Sequence, residues 1–171
     1  MNERPWLGHY DEGVPHTIEY PDITLFELLE RSAKDFPDTT CTIFKGARIS
    51  YQEMNAVCNR LAAGLFEIGV NKGDRVGIFM PNTPQFIMAY FAVLKVGGIV
   101  VATNPLYSER EVTHQVNDAG IEIMIVMSNY YNLVKKIQPA TSIKTVVVTN
   151  IKETLPPEKR EYGVPRLEDK R

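Results

Sequence analysis

The apolar residues of the chain follow two alternating patterns, one typical of buried strands and one typical of helices. Continuous β-prone apolar runs occupy residues 75–80, 99–103, 121–126 and 145–149. In the segments between them, apolar residues recur every three or four positions, which predicts helices. Strands that are apolar on both faces and alternate with helices indicate a parallel sheet covered by helices on both sides. The predicted fold class is therefore α/β.

Capping boxes indicate where three of these helices begin. In each box a Ser or Thr precedes a Glu by three positions, so that hydroxyl and carboxylate satisfy backbone amides of the first turn. The capping residues are Thr24, Ser50 and Ser108. Thr83-Pro84 opens a further helix, because proline is favoured at the first helical position. We expect Gly97-Gly98 to end that helix.

The same patterns divide the chain into three parts. Residues 24–150 contain the alternation and predict one α/β subdomain, with a hairpin at 41–51 before the parallel strands. Residues 1–23 are rich in proline, glycine and charge and show neither period, which predicts an extended amino-terminal arm. Residues 151–171 are charged and interrupted by Pro156-Pro157, so we expect a charged tail or linker there.

Composition excludes several classes of function. The chain has a net charge of -2 with 44% hydrophobic and 23% charged residues, so it shows no basic excess for nucleic acid. No apolar run approaches the roughly 18 residues of a membrane span, and residues 1–10 do not form a signal peptide. We therefore expect a cytoplasmic protein. Cys41 and Cys58 are far apart in sequence and predict reduced core thiols.

Motifs of catalysis and cofactor binding are missing from the sequence. Gly64 and Gly69 have P-loop spacing, but Val70-Asn71 follows where Lys and Ser/Thr are needed. No GxGxxG, GxSxG or HExxH pattern occurs. The sequence thus predicts no catalytic, cofactor-binding or metal-binding residue in this chain. Three carboxylates could be considered for acid–base catalysis, but their positions in the capping boxes give each of them a sufficient structural role. They are Glu27, Glu53 and Glu111.

Two side chains are candidates by position alone. Ligands of open parallel sheets bind outside the carboxyl ends of the strands, and polar residues follow two of the predicted strands, at 80–83 and 103–107. Asn104 and Tyr107 would then lie next to a substrate. The alternative, which we favour, is that Asn104-Pro105 simply starts a turn into the Ser108 cap.

Short motifs in this order and spacing resemble core motifs of the adenylate-forming superfamily. Ile49-Ser50-Tyr51-Gln52-Glu53-Met54 resembles its Leu-Thr-Tyr-x-Glu-Leu motif, and Leu94-Lys95-Val96-Gly97-Gly98-Ile99-Val100-Val101 resembles its Leu-Lys-Ala-Gly-x-x-x-Val segment. Gly73-Asp74-Arg75-Val76 lies between them, as in the family. Within the superfamily, Arg4-Pro5-Trp6 and residues 104–111 are most similar to long-chain fatty acyl-CoA synthetases of bacteria and archaea.

This resemblance covers residues 4 to about 150 and implies the amino-terminal half of the large domain of an AMP-forming acyl-CoA synthetase. In that family a fatty carboxylate attacks Mg-ATP to give an acyl-adenylate, and CoA then displaces AMP. The resemblance therefore implies ATP, Mg²⁺ and CoA for the parent enzyme, a fatty acid as its substrate, and the remainder of the ligase chain as the partner of these residues.

The resemblance also implies that the isolated chain is inactive. The family's Ser/Thr/Gly-rich loop ending in Pro-Lys-Gly and its Tyr-Gly-x-Thr-Glu segment do not occur in these 171 residues. We accordingly expect no bound cofactor and a structural role, with the arm as a homodimer contact and peripheral membrane contact left open. Two alternatives remain at this stage: a stand-alone small-ligand-binding or regulatory α/β module, or another acyl- or aryl-CoA ligase of the superfamily.

Overall fold

The structure is a computed structural model that describes residues 4–156. Most of the predicted tail, residues 157–171, therefore lies outside the described residues. Helices and strands alternate along the described part of the chain. In chain order they are α1 (Leu25–Asp35), β1 (Thr40–Phe44), β2 (Ala47–Ser50), α2 (Tyr51–Glu67), β3 (Arg75–Phe79), α3 (Pro84–Lys95), β4 (Ile99–Thr103), α4 (Glu109–Ala119), β5 (Ile123–Met127), α5 (Tyr131–Ile137) and β6 (Thr145–Thr149).

The predicted capping boxes are present at α1, α2 and α4. At α2, the Ser50 amide donates to the Glu53 carboxylate at 2.8 Å, and the Glu53 amide donates to the Ser50 hydroxyl at 3.2 Å. Each box satisfies amide donors that the first helical turn cannot pair internally. At its other end, α4 stops at Gly120, which has left-handed backbone angles. Local sequence thus determines where these helices begin and end.

The central feature is a parallel sheet with the strand order β4-β3-β5-β6. Helices α2 and α3 cover one face of this sheet and α4 and α5 cover the other, each over its own apolar cluster. The prediction of a parallel sheet flanked by helices on both sides is confirmed. Strands β1 and β2 form a separate antiparallel hairpin, as predicted. Among the described residues, no helix is both long and apolar enough to cross a bilayer.

A third apolar cluster joins the first three helices. Leu29, Met54, Cys58 and Met88 are buried there between α1, α2 and α3. The Lys95 ammonium strengthens this junction, because it pairs with Glu30 of α1. Helix α3 is therefore covered by the sheet on one side and by α1 and α2 on the other, as its nearly continuous apolar sequence requires.

The ends of the described region differ in how they pack. Within the predicted arm, Pro5–His9 forms a short 3-10 turn, and the side chains of this region are almost all exposed to solvent. The predicted tail begins at residue 151, yet Ile151–Thr154 forms another 3-10 turn and Leu155 is buried. Packing therefore continues a few residues beyond that boundary. The assignment of the three segments as separate parts stays a prediction.

We expect Gly97→Ala to destabilise the protein. Gly97 has a φ of +79°, and an added Cβ would lie 3.1 Å from the Lys72 side chain. An L-residue in this conformation costs about 1 kcal/mol of unfolding free energy. Gly64→Ala is the matched control, because Gly64 lies inside α2 and its Cβ would enter open space. Urea titrations should show that Gly97→Ala lowers stability and that Gly64→Ala raises it; equal losses would contradict the assignment.

We expect the thiol of Cys58 to be unreactive in the folded protein. Burial raises the pKa of Cys58 to about 11, so little thiolate is present at pH 8. The pKa of Cys41 is also raised by burial, but its side chain is only half-buried. In Cys41→Ala, the remaining thiol should be labelled by a disulfide reagent far more slowly than the thiol of Cys58→Ala.

The same shift gives a pH dependence of stability. The pKa of Cys58 is higher in the folded than in the unfolded chain. The contribution of this thiol to the free energy of unfolding is therefore complete below pH 9 and is lost as the pH rises towards 11. Stability measured from pH 8 to 10.5 should therefore fall less in Cys58→Ala than in the unaltered chain. In the labelling experiment described above, rapid modification of Cys58 in the folded protein would instead show that this thiol is accessible.

Candidate functional site

The topology of the sheet points to one edge as the candidate site. The chain leaves β3 towards β4 on one side and leaves β5 towards β6 on the other, so the order reverses between β3 and β5. Ligands of open α/β sheets bind in the crevice beside such a switch point, outside the carboxyl ends of the strands. Residues 80–83 and 128–130 follow β3 and β5 and border this crevice.

An aromatic contact covers the sheet at this switch point. The rings of Phe79, the last residue of β3, and Tyr130, which follows β5, lie 4.6 Å apart between centroids and are tilted by 36°. Phe79 is fully buried, and Tyr130 packs partly buried against both sheet-facing clusters. Tyr130 therefore closes the end of the apolar core and separates it from the polar residues beyond.

A polar network connects α3 to the end of β6 beside this crevice. The Gln85 side-chain amide donates to the Asn150 backbone carbonyl at 3.0 Å. The Asn150 side-chain amide in turn donates to the Ser128 hydroxyl at 3.1 Å, and its side-chain oxygen accepts from the Lys152 amide at 3.0 Å. Asn150 thus fixes the exits of β5 and β6 relative to the first turn of α3.

Three buried oxygens at this edge have no hydrogen-bond partner among the described residues. They are Thr83 Oγ1, Gln85 Oε1 and Thr103 Oγ1, in side chains that are each 6% exposed or less. A buried polar group without a partner costs about 1–3 kcal/mol, so native structures nearly always supply one. The edge therefore offers neutral hydroxyl and amide groups that are suited to water, a polar ligand or a further segment of polypeptide.

The two sequence-predicted candidates lie at the neighbouring strand exit. Strand β4 pairs with β3, with Phe79 opposite Thr103, so Asn104 and Tyr107 follow the same edge of the sheet. They lie on the β4 side of β3, however, whereas the order reverses on its β5 side. The Asn104 side-chain oxygen accepts from the Leu106 amide at 3.0 Å, and the Asn104 carbonyl accepts from the Tyr107 amide at 3.0 Å. Asn104 therefore makes a turn, and its proximity to substrate stays a prediction.

Sequence reasoning did not identify Gln85, Ser128, Asn150 or Tyr130 as members of this edge. Gln85 belongs to a helix whose sequence is otherwise apolar, and that contrast was the one available signal. Asn150 is 65 residues away from it along the chain, so no local pattern connects the two. The described residues include no group of three His, Cys, Asp or Glu side chains that could hold a metal ion.

We expect Gln85→Glu to destabilise the protein at neutral pH by at least about 2 kcal/mol more than Gln85→Leu. The substituted carboxylate would be buried opposite the Asn150 carbonyl oxygen, where an amide donor is needed. Burial would raise the pKa of this carboxyl. The loss of unfolding free energy relative to Gln85→Leu should therefore be complete at pH 7 and shrink as the pH falls towards 4, where the neutral acid can donate a hydrogen bond.

Gln52→Glu is the control for this comparison, because Gln52 lies exposed on α2 and the same change there should be nearly neutral. Chemical denaturation at pH 7 and pH 4.5 measures all three variants. A Gln85→Glu variant as stable at pH 7 as Gln85→Leu would rule out the donor role of Gln85.

Comparison with known proteins agrees with the resemblance seen in the sequence. A family model described as AMP-binding enzyme matches residues 29–169. The long-chain-fatty-acid–CoA ligase of Bacillus subtilis is 36% identical over 156 residues, which are 91% of this chain and 28% of that protein. The enzyme of the same name from Salmonella typhimurium is 35% identical over 156 residues, which cover 90% of this chain and 28% of the other.

A solved structure supports the same relationship. The crystal structure of a long-chain-fatty-acid-CoA ligase from Archaeoglobus fulgidus superimposes with a TM-score of 0.76 at 27% identity, covering 91% of this chain and 33% of the other. The chain thus spans 28% of the length of the two ligases compared by sequence. It belongs to the AMP-binding enzyme family and resembles the amino-terminal part of long-chain fatty acid CoA ligases.

Proposed function

We propose that these residues form the amino-terminal structural part of an ATP-dependent ligase that activates a long-chain fatty acid as an acyl-adenylate and transfers it to CoA. The observation that carries this proposal is the 36% identity to the Bacillus subtilis ligase over 91% of the chain. Because the chain spans only 28% of that relative, the proposal assigns the chemistry to the remainder of the ligase chain.

The described residues do not fit the cofactors of the reaction. Transfer to an α-phosphate requires donors for the developing charge and a divalent ion. The carboxyl edge offers neutral side chains, Thr83, Gln85 and Thr103 among them, and the described residues lack a cluster of metal ligands. In this proposal the groups that bind ATP, Mg²⁺ and CoA therefore lie in the remainder of the ligase chain.

In this proposal the carboxyl edge supports one flank of the nucleotide and acyl site. Asn104 and Tyr107 belong to the loop between β4 and α4, at the edge where such sheets receive ligands. The exposed Tyr107 side chain is available to a ligand from that position, being 36% accessible. Its role would be to shape the wall of the site, since the reacting groups are expected elsewhere in the ligase.

The arm and the location of the enzyme complete the proposal. Trp6 and Tyr20 are 54% and 82% exposed, and such aromatic side chains suit a homodimer contact made through the arm. The parent enzyme would act in the cytoplasm, where fatty acids that partition into a bilayer are reached by peripheral contact. The similarity to two long-chain-fatty-acid–CoA ligases supports a preference for long-chain acids.

We expect a chimera to recover the reaction. In this chimera, residues 4–156 would replace the matching segment of the Bacillus subtilis ligase. The chimeric protein would be assayed for ATP–pyrophosphate exchange with palmitate, butyrate and benzoate. The chimera should support palmitate-dependent exchange, because the catalytic groups come from the relative and the scaffold from this chain. The unaltered 171-residue chain should show none.

The comparison with shorter and aromatic acids tests substrate class. Preference for butyrate or benzoate in a chimera of this chain, but not in the Bacillus subtilis enzyme, would favour another acyl- or aryl-CoA ligase. ATP–pyrophosphate exchange by the 171-residue chain alone would contradict the assignment of the chemistry to the remainder of the ligase chain. A chimera that is folded and monodisperse but inactive with all three acids would count against the proposed function.

A further inference from the structure

Helix α3 begins without the side-chain contacts that cap α2 and α4. At those two helices, the hydroxyl of a serine accepts from the amide of a glutamate three residues later. Thr83 has the same position at α3, but its side chain makes no capping hydrogen bond. Pro84 has no N–H, so the first amide of α3 is that of Gln85, which has no acceptor within the helix. The positive end of the α3 dipole is therefore left without a capping side chain among the described residues.

This helix end borders a cleft between α3 and strand β1. The cleft has a volume of about 350 Å³, which is at the lower end of the range for small-molecule sites. The residues that line it belong to β1 and to residues 82–87, and none of them is charged. Both walls therefore come from this chain. Most of the wall is apolar and consists of Ile43, Phe44, Pro84, Phe86 and Ile87.

Two hydroxyl groups of the cleft lack a partner. Thr83 is only 5% exposed, and its Oγ1 makes no hydrogen bond among the described residues. Thr42 Oγ1, from the β1 wall, is also buried without a partner in this part of the chain. Native proteins nearly always pair such groups with protein, water or a ligand. Two hydroxyl donors and the first amide of α3 therefore lie at the same cleft.

We infer that this cleft binds a small monocarboxylate with an apolar body. The carboxylate accepts hydrogen bonds from the Thr83 and Thr42 hydroxyls and from the Gln85 amide, at the end of the helix that favours an anion. Its two oxygens have enough lone pairs for all three donors. The apolar body of the ligand packs against Phe86 and Ile87. This site goes beyond the proposed function, which assigns the activation of the fatty acid to the remainder of the ligase chain.

The walls and the charge favour this class of ligand over three others. A phosphate carries more charge and would lose its hydration among apolar walls, with no Lys or Arg among the residues that line the cleft. An uncharged alcohol would gain little from the helix dipole. A single water molecule would fill only about 30 Å³. A monocarboxylate satisfies the donors and fills the apolar space.

Nuclear magnetic resonance of the 171-residue chain titrated with octanoate tests the inference. Octanoate should shift the Gln85 amide resonance and saturate the shift. Acetate has the head group alone and n-octanol has the body alone, so each should bind at least about tenfold more weakly, the effect of losing one favourable contact. Equal affinity for n-octanol and octanoate would exclude a carboxylate site.

Substitutions at Thr83 locate the effect. Thr83→Val should weaken octanoate binding at least about tenfold, because it removes a donor to a charged group, and Thr83→Ser should retain binding. Thr83→Val removes a hydroxyl that has no partner in the described structure, so it should not lower stability in urea. Thr103→Val is the matched control, since Thr103 is also buried with an unpaired hydroxyl but does not line the cleft. Equal octanoate affinity in Thr83→Val and Thr103→Val would overturn the inference.

The chimera shows whether the cleft is available in a complete ligase. Octanoate should shift the Gln85 amide of the chimera, and this shift should be absent when the chimera carries Thr83→Val. A shift in the 171-residue chain but not in the chimera would mean that the remainder of the ligase fills the cleft, and the inference would fail.

The palmitate-dependent exchange of the chimera tests the proposed function separately. An active chimera without the Gln85 shift overturns the carboxylate site and leaves the proposed function standing. A chimera that is inactive but shows the shift, with loss of the shift in Thr83→Val, supports the site and counts against the proposed function.

Discussion

The whole arrangement depends on the need to bury both faces of a parallel sheet. Ile78 of β3 packs under α2 and α3, while the adjacent Phe79 packs under α4 and α5. Neither helical layer could be removed without exposing a row of apolar side chains. Gly77 belongs to the same constraint, because an added Cβ would lie 3.1–3.3 Å from the side chains of Met124 and Ile121. Glycine at position 77 therefore allows β3 to pack closely against its neighbours.

Elements determined by local physics could be predicted from the sequence. The strands at 99–103 and 145–149 have the predicted boundaries, and the predicted caps at Thr24, Ser50 and Ser108 are present. The strand predicted from residue 121 begins at Ile123 instead. The reason is that the Ile121 amide donates to the Val116 carbonyl at 3.0 Å and helps to close α4. A helix end and a strand start compete for the same residues there, and the apolar pattern alone cannot separate them.

Features that depend on distant parts of the chain could not be predicted. The strand order, with β5 beside β3 and not beside β4, places the switch point on the far side of β3 from Asn104. The sequence placed Asn104 and Tyr107 at the carboxyl edge of the sheet, because the carboxyl ends of parallel strands meet there, but it could not order the strands along that edge. The hydrogen bond from Gln85 to Asn150 likewise joins residues that become neighbours only when the sheet forms.

Three buried polar groups without partners in the described part of the chain lie at the carboxyl edge of the sheet. Burial of Thr83, Gln85 and Thr103 oxygens without partners costs about 1–3 kcal/mol each, a large fraction of the about 5–15 kcal/mol by which domains are stable. Such groups persist where something else completes their hydrogen bonds. Gln85 shows both situations, because its side-chain amide donates to the Asn150 carbonyl while its side-chain oxygen has no partner among the described residues. The helices of the described region are therefore capped, while three buried acceptors at the carboxyl edge stay unpaired among the described residues.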